Sequence, residues 1–230
     1  MINTAKIVAK TETLLYKNNS TFPQYEPNIK MSSSEFVAYA ARVSNPSNQM
    51  NSETSEKLLK YCMKNNHWSI FEMVNVVMEI TTTRDIARQI LRHRSFSFQE
   101  FSQRYADPTK DLGFVGREAR MQDAKNRQNS IETDDDKLQQ MWINAQNSVV
   151  EVAKQAYELA INSGIAKEQA RAVLPEGITI SKMYMNGTLR SWIHYCGIRM
   201  TPGTQKEHRM VAESAWKELV ESFPFLKELS

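Results

Sequence analysis

The chain is 230 residues long, 41% hydrophobic and 24% charged, a balance ordinary for a globular domain and sufficient for one core. It has no apolar run of about eighteen residues that could span a membrane, and its start, MINTAKIVAKTET, lacks the basic-then-apolar layout of a secretory leader, so a cytoplasmic chain without membrane contacts is expected. A formal net charge of +3 is too mild to demand a nucleic-acid partner, while Cys62 and Cys196, far apart and outside any Cys/His ligand spacing, read as free buried thiols and not as a disulfide or metal site.

Ile7 and Val8, then Leu14-Leu15-Tyr16, predict a first strand, and residues 18–33, rich in Asn, Pro and Ser, read as loop. Ser33 or Ser34 caps a helix that runs to Arg42 and ends before Asn45-Pro46-Ser47. A second helix near 54–65 buries Leu58, Leu59 and Cys62. Residues 73–83 alternate, with Val74, Val76, Met78 and Ile80 on one face, as a half-buried strand does. From about Thr83 the spacing turns helical: Ile86, Ala87, Ile90 and Leu91 form one stripe, while Arg84, Arg88 and Arg92 recur at every fourth position along another. Like charges at that spacing weaken a helix, so something outside it must justify them.

Residues 106–136 are polar and mixed in charge and read as a mobile loop, with acids at Glu132 and Asp134, Asp135 and Asp136 where they favour a helix start. A long helix from Lys137 to about Asn162 carries the apolar stripe Leu138, Met141, Trp142, Ala145, Val149, Val152, Ala156 and Leu159, and Gly164 ends it. A short helix through Arg171 stops before Pro175; residues 178–185 form a strand; Asn186-Gly187 is a turn and Thr188 a cap for a short helix over 189–195. Residues 205–222 form a final amphipathic helix. Without repeat or internal boundary, the chain reads as one α/β or α+β domain over residues 1–230.

The charge is not spread evenly. Residues 84–104 hold five arginines and His93 against Asp85 and Glu100, a formal +3 equal to that of the whole chain. An extended run here projects Glu100, Ser102 and Arg104 to one side, a set able to grip a sugar hydroxyl and a phosphate. The preceding helix end offers Gln89, Arg92 and His93 within one turn. From the residues alone, four readings stand: such an anion site, a solvated arginine face on a surface helix, an arginine-helix module that binds nucleic-acid phosphates, or a structural assembly protein whose arginine face meets an acidic partner. None of the seven glycines builds a G-x-G-x-x-G loop, which excludes a Rossmann-type dinucleotide site.

Arg92-His93-Arg94, seven residues and then Ser102 resembles the signature of the flavin-dependent thymidylate synthases. His67-Trp68-Ser69-Ile70-Phe71-Glu72 is similar to that family's H-x-S/T-x-F-E segment, and Ala170-Arg171-Ala172-Val173-Leu174-Pro175 to its A-R-x-x-L-P segment. Arg190-Ser191 through Ile198-Arg199 resembles its R-S-L block, and Gln205-Lys206-Glu207-His208-Arg209 its A-Q-x-E-I-R stretch. The chain departs from the pattern at His194, where many members carry Asn, and at Ile178-Thr179, where Tyr-Thr is usual.

The resemblance implies a single domain with a mainly antiparallel sheet flanked by long helices. It implies conversion of deoxyuridine monophosphate (dUMP) to dTMP, with methylenetetrahydrofolate as carbon donor, NADPH-reduced FAD as hydride source and no cysteine nucleophile. Gln89, Arg92, Glu100, Ser102, Gln103, Arg104, Arg171 and Arg199 would bind dUMP, with Arg199 the catalytic cation near the uracil. Ser69, Arg92, His93, Arg94, Glu100, Thr188, Arg190 and His194 would bind FAD, and His67 would gate or orient the folate or flavin ring. The family's homotetramer, with sites shared between subunits, is expected. Ser102 as a nucleophile is the lesser reading, since no His/Asp pair accompanies it.

Overall fold

The computed structural model describes residues 2–16 and 30–229; of the loop expected over 18–33, residues 18–29 lie outside the described residues. The elements in chain order are β1 (Thr4–Lys10), α1 (Ser33–Ala41), α2 (Ser55–Lys64), β2 (Asn75–Thr83), α3 (Arg84–Ile90), β3 (Phe96–Glu100), α4 (Pro108–Asp111), β4 (Arg120–Gln122), β5 (Ser130–Glu132), α5 (Asp136–Asn162), α6 (Lys167–Ala170), β6 (Ile180–Thr188), α7 (Leu189–Arg199) and α8 (Lys206–Ser222). Four strands form an antiparallel sheet in the order β1-β2-β6-β3, and β4-β5 make a separate hairpin.

The alternation read in the sequence places the core. Val76, Met78 and Ile80 of β2 and Met183 and Met185 of β6 are fully buried on one sheet face, with Met78 opposite Met185 and Ile80 opposite Met183. Each such side chain contributes roughly 1.5–3 kcal/mol on burial. Trp192 of α7 lies on this face and donates its indole N–H to Val76 O at 2.9 Å. Helix α8 covers the free edge of β1: Ser214 and Glu218 accept from the backbone N–H groups of Ala5 and Ile7 at 3.0 and 2.9 Å. That leaves the edge less open to pairing with another strand.

Three expectations about individual elements are corrected. Asn186-Gly187 is not a turn but the end of β6, where Gly187 lies opposite Val76 and Phe96. A Cβ at Gly187 would come within 2.4 Å of the Phe96 ring, so the glycine serves a close approach and not a bend. The first helix is capped by Ser32, one residue early, in a capping box with Glu35. The first strand ends at Lys10; Leu14 is exposed, and Tyr16 only bridges to Lys30.

Residues 106–136 contain α4 and the β4-β5 hairpin, pinned to α5 by Gln146, which accepts from Arg117 N–H and donates to Arg117 O at 2.8 Å each, and by Gln139 on both backbone groups of Ala119. This contact also decides which side of α5 is buried. The helix turns Gln146, Ala153 and Tyr157 inward, and the expected apolar stripe faces outward, with Val152 66% and Leu159 69% exposed. The helical period was right and the buried face was not.

Candidate active site

Helix α3 begins where β2 ends. Thr83 is its N-cap residue, and Arg84 N–H donates to Thr179 O at 3.0 Å, which ties the helix start to the segment before β6. The arginine stripe is then divided by its partners. Arg84 is buried and lies 3.3 Å from Glu100 Oε1. Arg88 donates through Nε and Nη2 to Glu176 Oε1 at 3.0 and 2.8 Å. Those two carboxylates relieve the like-charge cost of the stripe, and they remove its first two members from any continuous cationic face of the kind an arginine-helix module would need. Arg92 and Arg94, just beyond the helix, are exposed and have no carboxylate in ion-pair reach among the described residues.

His93 lies between these arginines and is tied to α7. Arg199 Nε donates to His93 Nε2 at 2.9 Å, so the proton of the neutral ring resides on Nδ1. Burial, then the charges of Arg199, His194 and Arg92, push protonation of His93 down to about 4. Arg199 therefore rests against a neutral ring and keeps its whole charge, with no carboxylate within ion-pair reach among the described residues. Helix α7, expected to stop near Tyr195, continues to Arg199 and so carries His194 and Arg199 on one rigid element. Gln89 faces the same region, bonded to Gln205 Oε1 at 2.8 Å and to His208 Nδ1 at 3.2 Å.

A second group forms at α6. Arg104 pairs with Glu168 at 3.1 Å, and Arg171 Nε donates to Glu168 O at 3.2 Å. The expected common side of Glu100, Ser102 and Arg104 does not exist: strand pairing ends at Glu100, and Tyr105 and Ala106 turn back onto Ser102 O at 3.1 Å. Glu100 Oε1 accepts from Ser181 at 2.8 Å as well as from Arg84. Gln103 is buried, and its Nε2 has no acceptor among the described residues. A buried donor left without an acceptor costs about 1–3 kcal/mol, which makes the Gln103 amide a candidate donor to a bound ligand. No hydrogen bond or ion pair among the described residues links Arg104 and Arg171 to Gln89, His93 or Arg199.

Of the residues matched to a flavin, Arg190 and His194 line a separate cleft of about 600 Å³ whose walls also include Trp68, Ser95 and Trp216, whereas Ser69, Arg92, His93, Arg94, Glu100 and Thr188 are not among its lining residues. Arg190 pairs with Glu72 across it. Ser69 and His67 are exposed beside Trp68, and the His67 ring stands edge-on to Tyr61 at 6.2 Å. Thr188 is the N-cap of α7: its hydroxyl accepts from Ser191 N–H at 3.1 Å and lies 3.0 Å from Ser191 Oγ.

Sequence reasoning assigned no role to Trp68, Glu72 and Ser95 of this cleft, left Trp216 as one position of the amphipathic helix over 205–222, and passed over Tyr195 and His208 behind Gln89. For His208 a signal existed: it lies three and four residues before Val211 and Ala212, on the buried face of α8. Both cysteines are buried, and burial pushes their thiols up, away from the thiolate form.

Comparisons with known proteins agree with this architecture. A family model described as thymidylate synthase complementing protein matches residues 29–225. A flavin-dependent thymidylate synthase of Synechocystis sp. is 52% identical over 188 residues, 82% of this chain and 85% of that protein. A probable flavin-dependent thymidylate synthase of Paramecium bursaria Chlorella virus 1 is 47% identical over 190 residues, 83% of this chain and 87% of that one. Among solved structures, the UMP/dUMP methylase PolB from Streptomyces cacaoi bound with 5-Br UMP superposes with a TM-score of 0.76 at 25% identity, covering 98% of this chain and 92% of that chain. The signature Arg92-His93-Arg94 with Ser102, the antiparallel sheet and a family match that spans most of the chain agree: this protein belongs to the flavin-dependent thymidylate synthase family.

Proposed function

We propose that this chain catalyses the reductive methylation of dUMP to dTMP as a cytoplasmic enzyme of one domain, with methylenetetrahydrofolate as carbon donor and NADPH as reductant of FAD. The observation that carries the reading is Arg199, a half-buried cation held against a neutral histidine with no carboxylate in reach among the described residues. A guanidinium prepared in this way stabilises negative charge that develops on a bound uracil. Arg92, Ser102, Arg104 and Arg171, with Gln89, Glu100 and the unsatisfied Gln103 amide, bind the phosphate, sugar and base. Both thiols are buried away from thiolate chemistry, in keeping with a reaction that uses no cysteine nucleophile.

The cleft between Trp68 and Trp216 fits a flavin dinucleotide: its aromatic and aliphatic walls suit the rings, and Arg190, with the exposed Arg94 beside Ser95, suits the pyrophosphate. Ser69, Arg92, His93, Arg94, Glu100, Thr188, Arg190 and His194 hold it, and His67 borders the folate or flavin ring. Reduced FAD supplies the hydride; the protein binds, orients and polarises. Purified protein is expected to be yellow, with an oxidised-flavin band that dUMP perturbs. A colourless protein that cannot be reconstituted with FAD overturns the reading.

The outward apolar stripe of α5 supports a homotetramer, because a contiguous run such as Met141, Val149, Val152 and Leu159 is costly to leave in water. Assembly also gives the Arg104–Arg171 group of one subunit a route to the Arg199 group of another, completing a site that one chain leaves divided. Val152→Asp combined with Leu159→Asp is expected to reduce the assembly to smaller species by light scattering and to abolish turnover. An intact tetramer in that variant assigns the contact to another face.

A further inference from the structure

We propose that His208 is a positioning residue of the nucleotide site, fixing the orientation of the Gln89 amide within a one-way chain of hydrogen bonds that runs from the Tyr195 hydroxyl to the Glu207 carboxylate. The inference rests on the reading that Gln89 contacts dUMP.

The direction of the chain is set at its acidic end. Glu207 is buried; burial works against its charge, but Arg120 at Oε1 holds its carboxyl below the usual range, so it is an ionised acceptor. Its Oε2 lies 3.0 Å from the Gln205 amide, which must present its NH2 there and turn its oxygen toward Gln89. Gln89 therefore gives its own NH2 to Gln205 at 2.8 Å and turns Oε1 to His208 Nδ1 at 3.2 Å. An amide oxygen only accepts, so Nδ1 carries the hydrogen. Nε2 of a neutral ring is then an acceptor, and the Tyr195 hydroxyl, 3.2 Å away, must donate to it.

Each step follows from the one before. Neutrality of His208 is secured by its surroundings: burial, then the charges of Arg199 and His93, push its protonation down to about 3. The His208 ring has no exposed surface and lies 6.3 Å from His93, the ring that supports Arg199. A flipped Gln89 would set its NH2 against the His208 N–H and its oxygen against the Gln205 oxygen, losing both bonds. The amide is thereby held in one orientation, with its second N–H and second lone pair left for a ligand. A uracil edge, which sets a carbonyl acceptor beside an N–H donor, is complementary to such an amide.

Steady-state kinetics and imidazole NMR of the FAD-loaded enzyme test the proposal. His208→Leu is expected to raise KM for dUMP on the order of tenfold, about one charge-free hydrogen bond, with kcat changed less than about twofold. His208→Asn, whose amide N–H reaches the place of Nδ1–H, should restore most of the affinity, whereas His208→Gln should not. Nitrogen chemical shifts of His208 in the unsubstituted enzyme should report hydrogen on Nδ1 and an acceptor at Nε2; hydrogen on Nε2 overturns the proposal whether or not any variant folds. An unchanged KM in folded His208→Leu, with KM raised in Gln89→Ala, also overturns it. If Gln89→Ala too leaves KM for dUMP unchanged, the assignment of Gln89 to the nucleotide has failed, and the positioning proposal falls with it.

Discussion

Arg199→Ala is expected to slow dTMP formation by about a hundredfold to a thousandfold, the scale lost when one prepared donor to a developing oxyanion is removed, equivalent to about 2.7–4 kcal/mol. The argument starts from its environment. Arg199 donates through Nε to a neutral ring and has no carboxylate partner among the described residues, so its charge is not spent inside the protein. Neighbouring arginines differ in this respect: Arg84 lies on Glu100, Arg88 on Glu176 and Arg190 on Glu72. The substitution should leave flavin absorbance in place, because Arg199 does not line the cleft between Trp68 and Trp216. Turnover and the flavin band are read on the same sample. Unchanged turnover removes Arg199 from the chemistry, and loss of the flavin with the arginine reassigns it to the cofactor.

Acid should destabilise this fold well above the range in which carboxylates titrate. In the folded chain His208 and His93 resist protonation down to about 3 and about 4, against about 6.5 for an ordinary histidine. Both are depressed, so the stability they contribute is present in full above about 6.5 and is lost as pH falls through that value toward the folded ones, because the unfolded chain takes up the protons first. Each unit of depression is worth about 1.36 kcal/mol. The wholly buried His208 supplies most of the effect, and His93, which keeps part of its ring in solvent, supplies less. Urea midpoints at fixed protein concentration should fall between pH 6.5 and 4.5, and the fall should shrink in His208→Asn, which has no ring to protonate. An equal fall in that variant would place the acid sensitivity elsewhere.

The parts of the fold legible in sequence were those with a strong local period. The alternation of 73–83 became β2, and the Ile86, Ala87 and Ile90 stripe became the buried side of α3. Asn186-Gly187 misled because the same dipeptide that permits a tight turn also permits two chains to approach, and here the Phe96 ring occupies the space a side chain would need. The α5 stripe misled for another reason: apolar residues at helical spacing show that a face is to be covered, but not whether this chain or another covers it.

The site divides along the same line. Residue order alone determined the family signature and the concentration of charge over 84–104, because these depend on identity and spacing along the chain. Only the tertiary structure decided which charges remain free. Arg84 and Arg88 looked equivalent to Arg92 in sequence, yet strand pairing brings Glu100 to the first, beside Ser181, and the segment before β6 brings Glu176 to the second. The tautomers of His93 and His208 are likewise settled by partners 106 and 119 positions away in the chain. Electrostatic and hydrogen-bond energies fall steeply with distance in space and are indifferent to distance in sequence, so the pattern of charge was readable from the residues and its availability was not.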